Sequence, residues 1–192
     1  RTVEFLYGDY TPKTVRHEAG TRPLLEAVVH AVCGSIHNET KRAKALVQWR
    51  RDNVQHIGIC GLGTEEEILL GGYSMCHDAA RTMVTLCQVA GLPARLVIGL
   101  NEARADGHTL TEVFTEGAWR VFDPSPCMPY AWMETDDGHL ASGWDVRQDP
   151  ALPGRCRPVF PVADNGQRYG SYFADYRLVN YPLSVSNRYQ AQ

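Results

Sequence analysis

Two alternating runs, His108–Thr115 and Ala118–Asp123, are separated by Glu116-Gly117, and this arrangement constrains the chain more than any other feature. Alternation marks strands with one buried face, and a two-residue connection ending in Gly marks a tight hairpin. With Glu116 and Gly117 as the loop, Thr115 faces Ala118, and opposed residues have numbers summing to 233. Asp123 then faces Leu110, and His108 is its diagonal neighbour on the same face of the sheet. Diagonal pairs lie about 7–8 Å apart at the backbone, within reach of an imidazole–carboxylate hydrogen bond. A slip of one residue would put the two on opposite faces, so the pairing depends on the turn. An Asp in this position fixes the histidine tautomer and steadies the imidazolium, which leaves the second ring nitrogen for a nucleophile.

The segments before the hairpin read as helices. Leu24, Leu25, Val28, Val29, Val32 and Ile36 recur at helical spacing and predict a helix over 22–36, with Thr21 as N-cap. A second helix is expected from Glu39 to about His56, capped by Asn38, with Ala43, Leu46, Val47 and Val54 inward. The glycines at 58, 61, 63, 71 and 72 match neither dinucleotide-binding nor P-loop spacing, so 58–72 is expected to be a flexible connection without a nucleotide site. A third helix is expected from Met75 to Ala90, stopped by Gly91 and Pro93. Arg95 to Leu100 reads as a buried strand and 101–107 as a polar loop. Beyond Pro124 the periodicity weakens under repeated prolines, and aromatics return at Tyr169, Tyr172, Phe173, Tyr176 and Tyr181. This last third is expected to add strands to the sheet or to form a lid. The fold class is α+β, helices packed on an antiparallel sheet, as one domain over 1–192 with its core at about 22–126 and an extension over 127–192.

Cys76 is the natural nucleophile. It begins the third helix after Gly71-Gly72-Tyr73-Ser74, where the helix dipole and unpaired N–H groups favour a thiolate and can receive an oxyanion. Thiolate, His–Asp pair and oxyanion site are the parts of acyl transfer through a thioester. Other chemistries have less to rest on. Net charge is −3 with no basic block, which gives a nucleic-acid backbone no footprint. The apolar runs are broken by Gly, Pro and Arg, so no membrane insertion is expected. None of the six cysteines forms a C-x-x-C pair, and Asp136-Asp137-Gly138 lacks calcium-loop spacing, so neither metal nor cofactor is expected. Cys33 and Cys87 fall on helix interiors. Cys60, Cys127 and Cys156 fall in loops, where two of them could pair under oxidising conditions.

The residues resemble the transglutaminase-like superfamily, whose core is papain-like. Gly-Gly-Tyr-Ser-Met-Cys76-His-Asp-Ala-Ala-Arg is similar to its nucleophile block, and Ala90-Gly-Leu-Pro-Ala-Arg95-Leu-Val-Ile-Gly to its helix-to-strand block. Gly107-His108-Thr-Leu-Thr-Glu112-Val-Phe and Trp119-Arg-Val-Phe-Asp123-Pro are similar to its His and Asp blocks. The resemblance implies Cys76 as nucleophile, His108 as general base and acid, and Asp123 as the residue that orients it. The family often has His-Ala-Trp where this chain has His108-Thr109-Leu110, a change that bears on substrate preference. Trp49 and Tyr73 are guesses for an oxyanion donor, and Met75 and Leu110 for a substrate wall. Glu112 shares the His108 face; His77 and Asp78 point elsewhere on their helix.

The resemblance implies a cysteine enzyme acting on an amide of a peptide or protein, through a thioester. Hydrolysis is favoured by analogy with compact bacterial members, with transfer to an amine as the alternative. A glycan-linked amide is a further substrate class, although the cysteine-rich zinc motif of peptide N-glycanases is absent. A non-catalytic binding module on the same fold is the contrasting reading, against which the complete Cys–His–Asp set counts. The chain begins at Arg1 rather than Met, so it is read as trimmed or cut from a larger protein. A cytoplasmic location is slightly favoured, with periplasmic or secreted locations left open.

Overall fold

The computed structural model describes residues 17–58, 63–175 and 177–179. Helix α1, Pro23–Cys33, is followed by α2, Glu39–Asn53, a short strand β1, Gln55–His56, and α3, Glu65–Gly71. Strand β2, Tyr73–Ser74, leads into α4, Cys76–Val89, and then come the long strands β3, Ala94–Asn101, β4, Asp106–Thr115, and β5, Ala118–Phe122. Two short helices, α5, Gly143–Gln148, and α6, Gln167–Ser171, precede a last strand β6, Arg177–Val179. The main sheet is antiparallel in the order β5-β4-β3-β6. This is the expected α+β class.

The hairpin has the expected register: Thr115 faces Ala118 and Thr111 faces Phe122. Glu116 and Gly117 both take positive φ, 52° and 82°, the pairing that matches the twist of a two-residue hairpin. The sheet then separates two cores. Leu96, Val113 and Phe122 meet the inner faces of α1, α2 and α4, including Leu25, Leu46, Val47 and Met83. On the other face Val97, Leu110 and Val121 meet Tyr130, Met133, Val146, Tyr169 and Phe173 from the last third of the chain. That segment therefore supplies one edge strand and an irregular layer over the sheet, closing it from solvent.

Several boundaries differ from those read off the sequence. Helix α1 is capped at Arg22, not Thr21: Pro23 takes the first helical position, and the Glu26 carboxylate accepts from the N–H groups of Gly20 and Arg22. Those bonds hold the Glu26 carboxyl down at about 2. Asn38 caps α2 as expected, through Lys41 N–H at 2.8 Å, but the helix ends at Asn53, because Gln55 and His56 pair in parallel with Tyr73 and Ser74. The glycine-rich connection holds helix α3 with a complete capping box between Thr64 and Glu67; Gly61 and Cys60 lie outside the described residues. Buried Glu65 in α3 accepts from Arg22 and Arg81, at 2.6 and 3.1 Å, which ties α1, α3 and α4 together. No helix among the described residues is long and apolar enough to cross a membrane.

Candidate active site

Cys76 is the first residue of α4 and is half-buried; Met75 is the N-cap, and no side chain caps that first turn. His108 lies near the start of β4, opposite Gly99 of β3. Strand β5 ends at Phe122, and Asp123 turns away, its N–H donating to Ala131 O at 2.9 Å and its Oδ1 accepting from Ser125 N–H at 2.9 Å. The hairpin leaves the two residues on a diagonal, and their side chains close the gap: His108 Nε2 lies 2.7 Å from Asp123 Oδ2. Both are buried. With Nε2 engaged, Nδ1 is left for the Cys76 thiol, and the two side chains lie close enough to shift each other's proton affinity.

The electrostatics follow from that contact. Burial alone pushes the Cys76 thiol up, but the hydrogen bond and charge of His108, with the Thr109 N–H, bring it below the usual thiol value. Burial alone would lower His108; the Asp123 carboxylate and the Cys76 sulfur outweigh it and push the imidazole up to about 10. Burial would likewise raise Asp123, and the charge and hydrogen bond of His108, with the bonds from Ser125 and Tyr169, hold it below the usual carboxylate value. The arrangement favours a thiolate beside an imidazolium braced by a carboxylate.

Other residues at the site carry no local signal in the sequence. Tyr169 donates its hydroxyl to Asp123 Oδ2 at 2.9 Å, and its ring lies 6.2 Å from that of His108. Tyr172 places its ring 5.6 Å from His108. Arg51 from α2 is buried and donates to the carbonyls of Asp123, Ser125 and Met128 at 2.9, 2.6 and 2.8 Å. Arg50 donates to Pro124 O at 2.8 Å and to the Ser74 hydroxyl; desolvation brings its guanidinium down to about 10. His56 stands close enough to feel the charge of His108 and has a buried Nδ1 without a hydrogen-bond partner. Burial, with that charge, lowers its proton affinity below the usual imidazole value.

The guessed oxyanion and substrate residues divide. Tyr73 is exposed and Met75 half-buried, both directly before Cys76. Trp49 is half-buried against the helical core, and Leu110 is fully buried in the second core. The reason is parity: Leu110 shares the face of His108, but two residues further along β4 that face is already covered by the second core. Glu112 is buried too, bonded to Arg95 Nε at 2.8 Å and to Gly143 N–H at 2.6 Å. His77 is exposed and Asp78 buried near Arg50. Cys33 and Cys87 are buried, and Cys127 and Cys156 are free thiols. Among the described residues no three His, Cys, Asp or Glu side chains are grouped to hold a metal.

Similar folds occur among solved structures. A candidate cysteine protease from Cytophaga hutchinsonii is 20% identical, with a TM-score of 0.49 over 66% of this chain and 48% of its own. A TGase is 19% identical, with a TM-score of 0.45 over 68% of this chain and 37% of its own. The periplasmic domain of TgpA from Pseudomonas aeruginosa is 21% identical, with a TM-score of 0.45 over 57% of this chain and 44% of its own. The chain thus spans less than half the length of each. No curated protein gives a significant match. The model of the transglutaminase-like superfamily matches residues 26–124, from the first helix to the Asp123-Pro124 step. That stretch is just over half of the sequence, and the chain belongs to the transglutaminase-like superfamily.

Proposed function

We propose that the protein is a cysteine-dependent enzyme that cleaves an amide of a peptide or protein through a thioester on Cys76. The observation that carries the reading is the grip of Asp123 on one His108 nitrogen at 2.7 Å, with the Cys76 thiol close enough for the two groups to shift each other's proton affinity. The Cys76 thiolate attacks the carbonyl carbon, and the oxyanion meets the first turn of α4, which no side chain caps. The C–N bond then breaks as His108 passes its proton to the departing amine, leaving the acyl group on sulfur. Water attacks the thioester, His108 takes the water's proton, and the acid leaves with the thiolate restored.

Hydrolysis is preferred to amine transfer because Cys76 is only half-buried, so water reaches the acyl-enzyme. Alkylation by iodoacetamide tests the reading at its base. Cys76 is expected to react first among the cysteines, well below the free-thiol pKa of about 8.5. Cys76→Ala is expected to abolish cleavage of a casein-type substrate while leaving the circular dichroism unchanged; cleavage retained by that variant overturns the proposal.

A further inference from the structure

A cavity of about 360 Å³ adjoins the His108–Asp123 pair on the side of the irregular layer. Its apolar lining is Met128, Pro129, Val162 and the rings of Tyr169 and Tyr172, and these two tyrosines are the ones that flank His108. Cys127, also in the lining, lies within the electrostatic reach of Cys76. The cavity and His108 thus share the rings of Tyr169 and Tyr172. Every residue that lines it lies beyond position 124, outside the stretch that matches the family model, so it belongs to this chain's own C-terminal third.

Several polar groups of the lining have partners elsewhere in the protein. Tyr169 donates to Asp123, and Tyr172 to Asp106 at 3.3 Å. Asp164 accepts from the N–H groups of Gly166 and Arg168, and the Arg168 guanidinium is bound to Asp106 at 2.8 Å. Cys127, Asp164 and Arg168 are exposed to solvent, and the rest of the lining offers an occupant mainly apolar surface. Exposed Val159 stands beside that lining, its N–H donating to Pro129 O at 2.7 Å. The polar groups of an occupant would have only Asp164, Arg168 and Cys127 to turn to, while the larger part of the lining favours apolar contact.

We infer that this cavity is a specificity subsite that takes a large apolar side chain of a polypeptide substrate, next to the amide attacked by Cys76. The inference rests on the acyl-transfer reading and adds the class of residue that the enzyme selects. Its size is at the lower end of the roughly 300–1,000 Å³ of ligand clefts, room for one side chain with its backbone.

The test compares tripeptide chloromethyl ketones that carry Phe, Asp or an N-glycosylated Asn, each rate divided by the iodoacetamide rate on the same protein. The Phe probe is expected to alkylate Cys76 about 10- to 100-fold faster than the Asp probe, the discrimination supplied by burial of one such side chain. Val162→Asp is expected to remove most of that preference. Equal relative rates for Phe and Asp, with Cys76 still fast toward iodoacetamide, overturn the subsite and leave the acyl-transfer reading standing. A preference for the glycosylated probe overturns it in favour of a sugar. Failure of iodoacetamide and all three probes to modify Cys76 overturns both. The comparison on the unaltered protein decides even if the Val162 variant does not fold.

Discussion

Three donors converge on the Asp123 carboxylate: the His108 ring, the Ser125 N–H and the Tyr169 hydroxyl. A carboxylate held this way keeps its negative charge in a buried setting, and the charge keeps His108 protonated. The pH dependence follows with its sign. Cleavage (kcat/KM) is expected to rise as Cys76 ionises, below the usual thiol range, and to fall as His108 loses its proton near pH 10. Asp123→Asn removes the charge that raises His108, so the alkaline limb is expected to move to lower pH and the Cys76 limb upward. The rate at the optimum is expected to drop by roughly 10³–10⁴-fold, as when an orienting Asp is lost from a triad. A pH–rate profile of the variant that overlays the unaltered protein's would remove Asp123 from the mechanism.

At the scale of elements, the contact between β3 and the last third of the chain shapes the pocket around His108. Gly99 lies opposite His108 in the β3–β4 ladder. A Cβ at that position would come within 2.8 Å of both the Cβ and the carbonyl oxygen of Tyr172. The missing side chain is what lets Tyr172 settle against the sheet beside the imidazole. Gly99→Ala is therefore expected to displace Tyr172 and destabilise the fold by about 1–3 kcal/mol, the usual cost of overpacking. Urea unfolding reads the loss of stability, and the Phe-probe preference should weaken in the same variant. An unchanged midpoint would mean that Tyr172 is not held by this contact.

Across the whole molecule, α2 on one face of the sheet reaches the loop that carries Asp123 and leads toward the other face. Arg51 does this with three charged hydrogen bonds to backbone carbonyls. Its partners lie more than seventy residues further along the chain. Arg51→Ala takes the guanidinium from the Asp123 and Met128 carbonyls, while Ser125 O keeps the Met128 N–H, and is expected to cost on the order of 3 kcal/mol. Arg51→Lys should recover part of this, because an ammonium cannot fork across three acceptors. Urea midpoints in the order Arg, Lys, Ala check the assignment; Lys equal to Arg would show that charge alone suffices.

What could be read from the sequence is what local chemistry dictates. The Glu116-Gly117 turn determines which residues of β4 and β5 face each other, and with that the shared face of His108 and Asp123. Gly91 and Pro93 stop α4, and the blocks around Cys76, His108 and Asp123 resemble the family to which the chain belongs. The Thr64–Glu67 capping box was also present, obscured by the glycines around it. The end of α2 at Asn53 was not legible, because it depends on β1 pairing with residues at positions 73 and 74. The same holds for Arg50 and Arg51, which look like the solvated end of a helix until the 123–128 loop folds over them. Tyr169 and Tyr172, in a stretch without periodicity, reach His108 only through tertiary packing. Turn geometry, capping and alternation act between near neighbours, so the sequence carries them directly; the hydrogen bonds that brace Asp123 and the rings that wall the cavity join segments far apart, and only the folded chain brings them together.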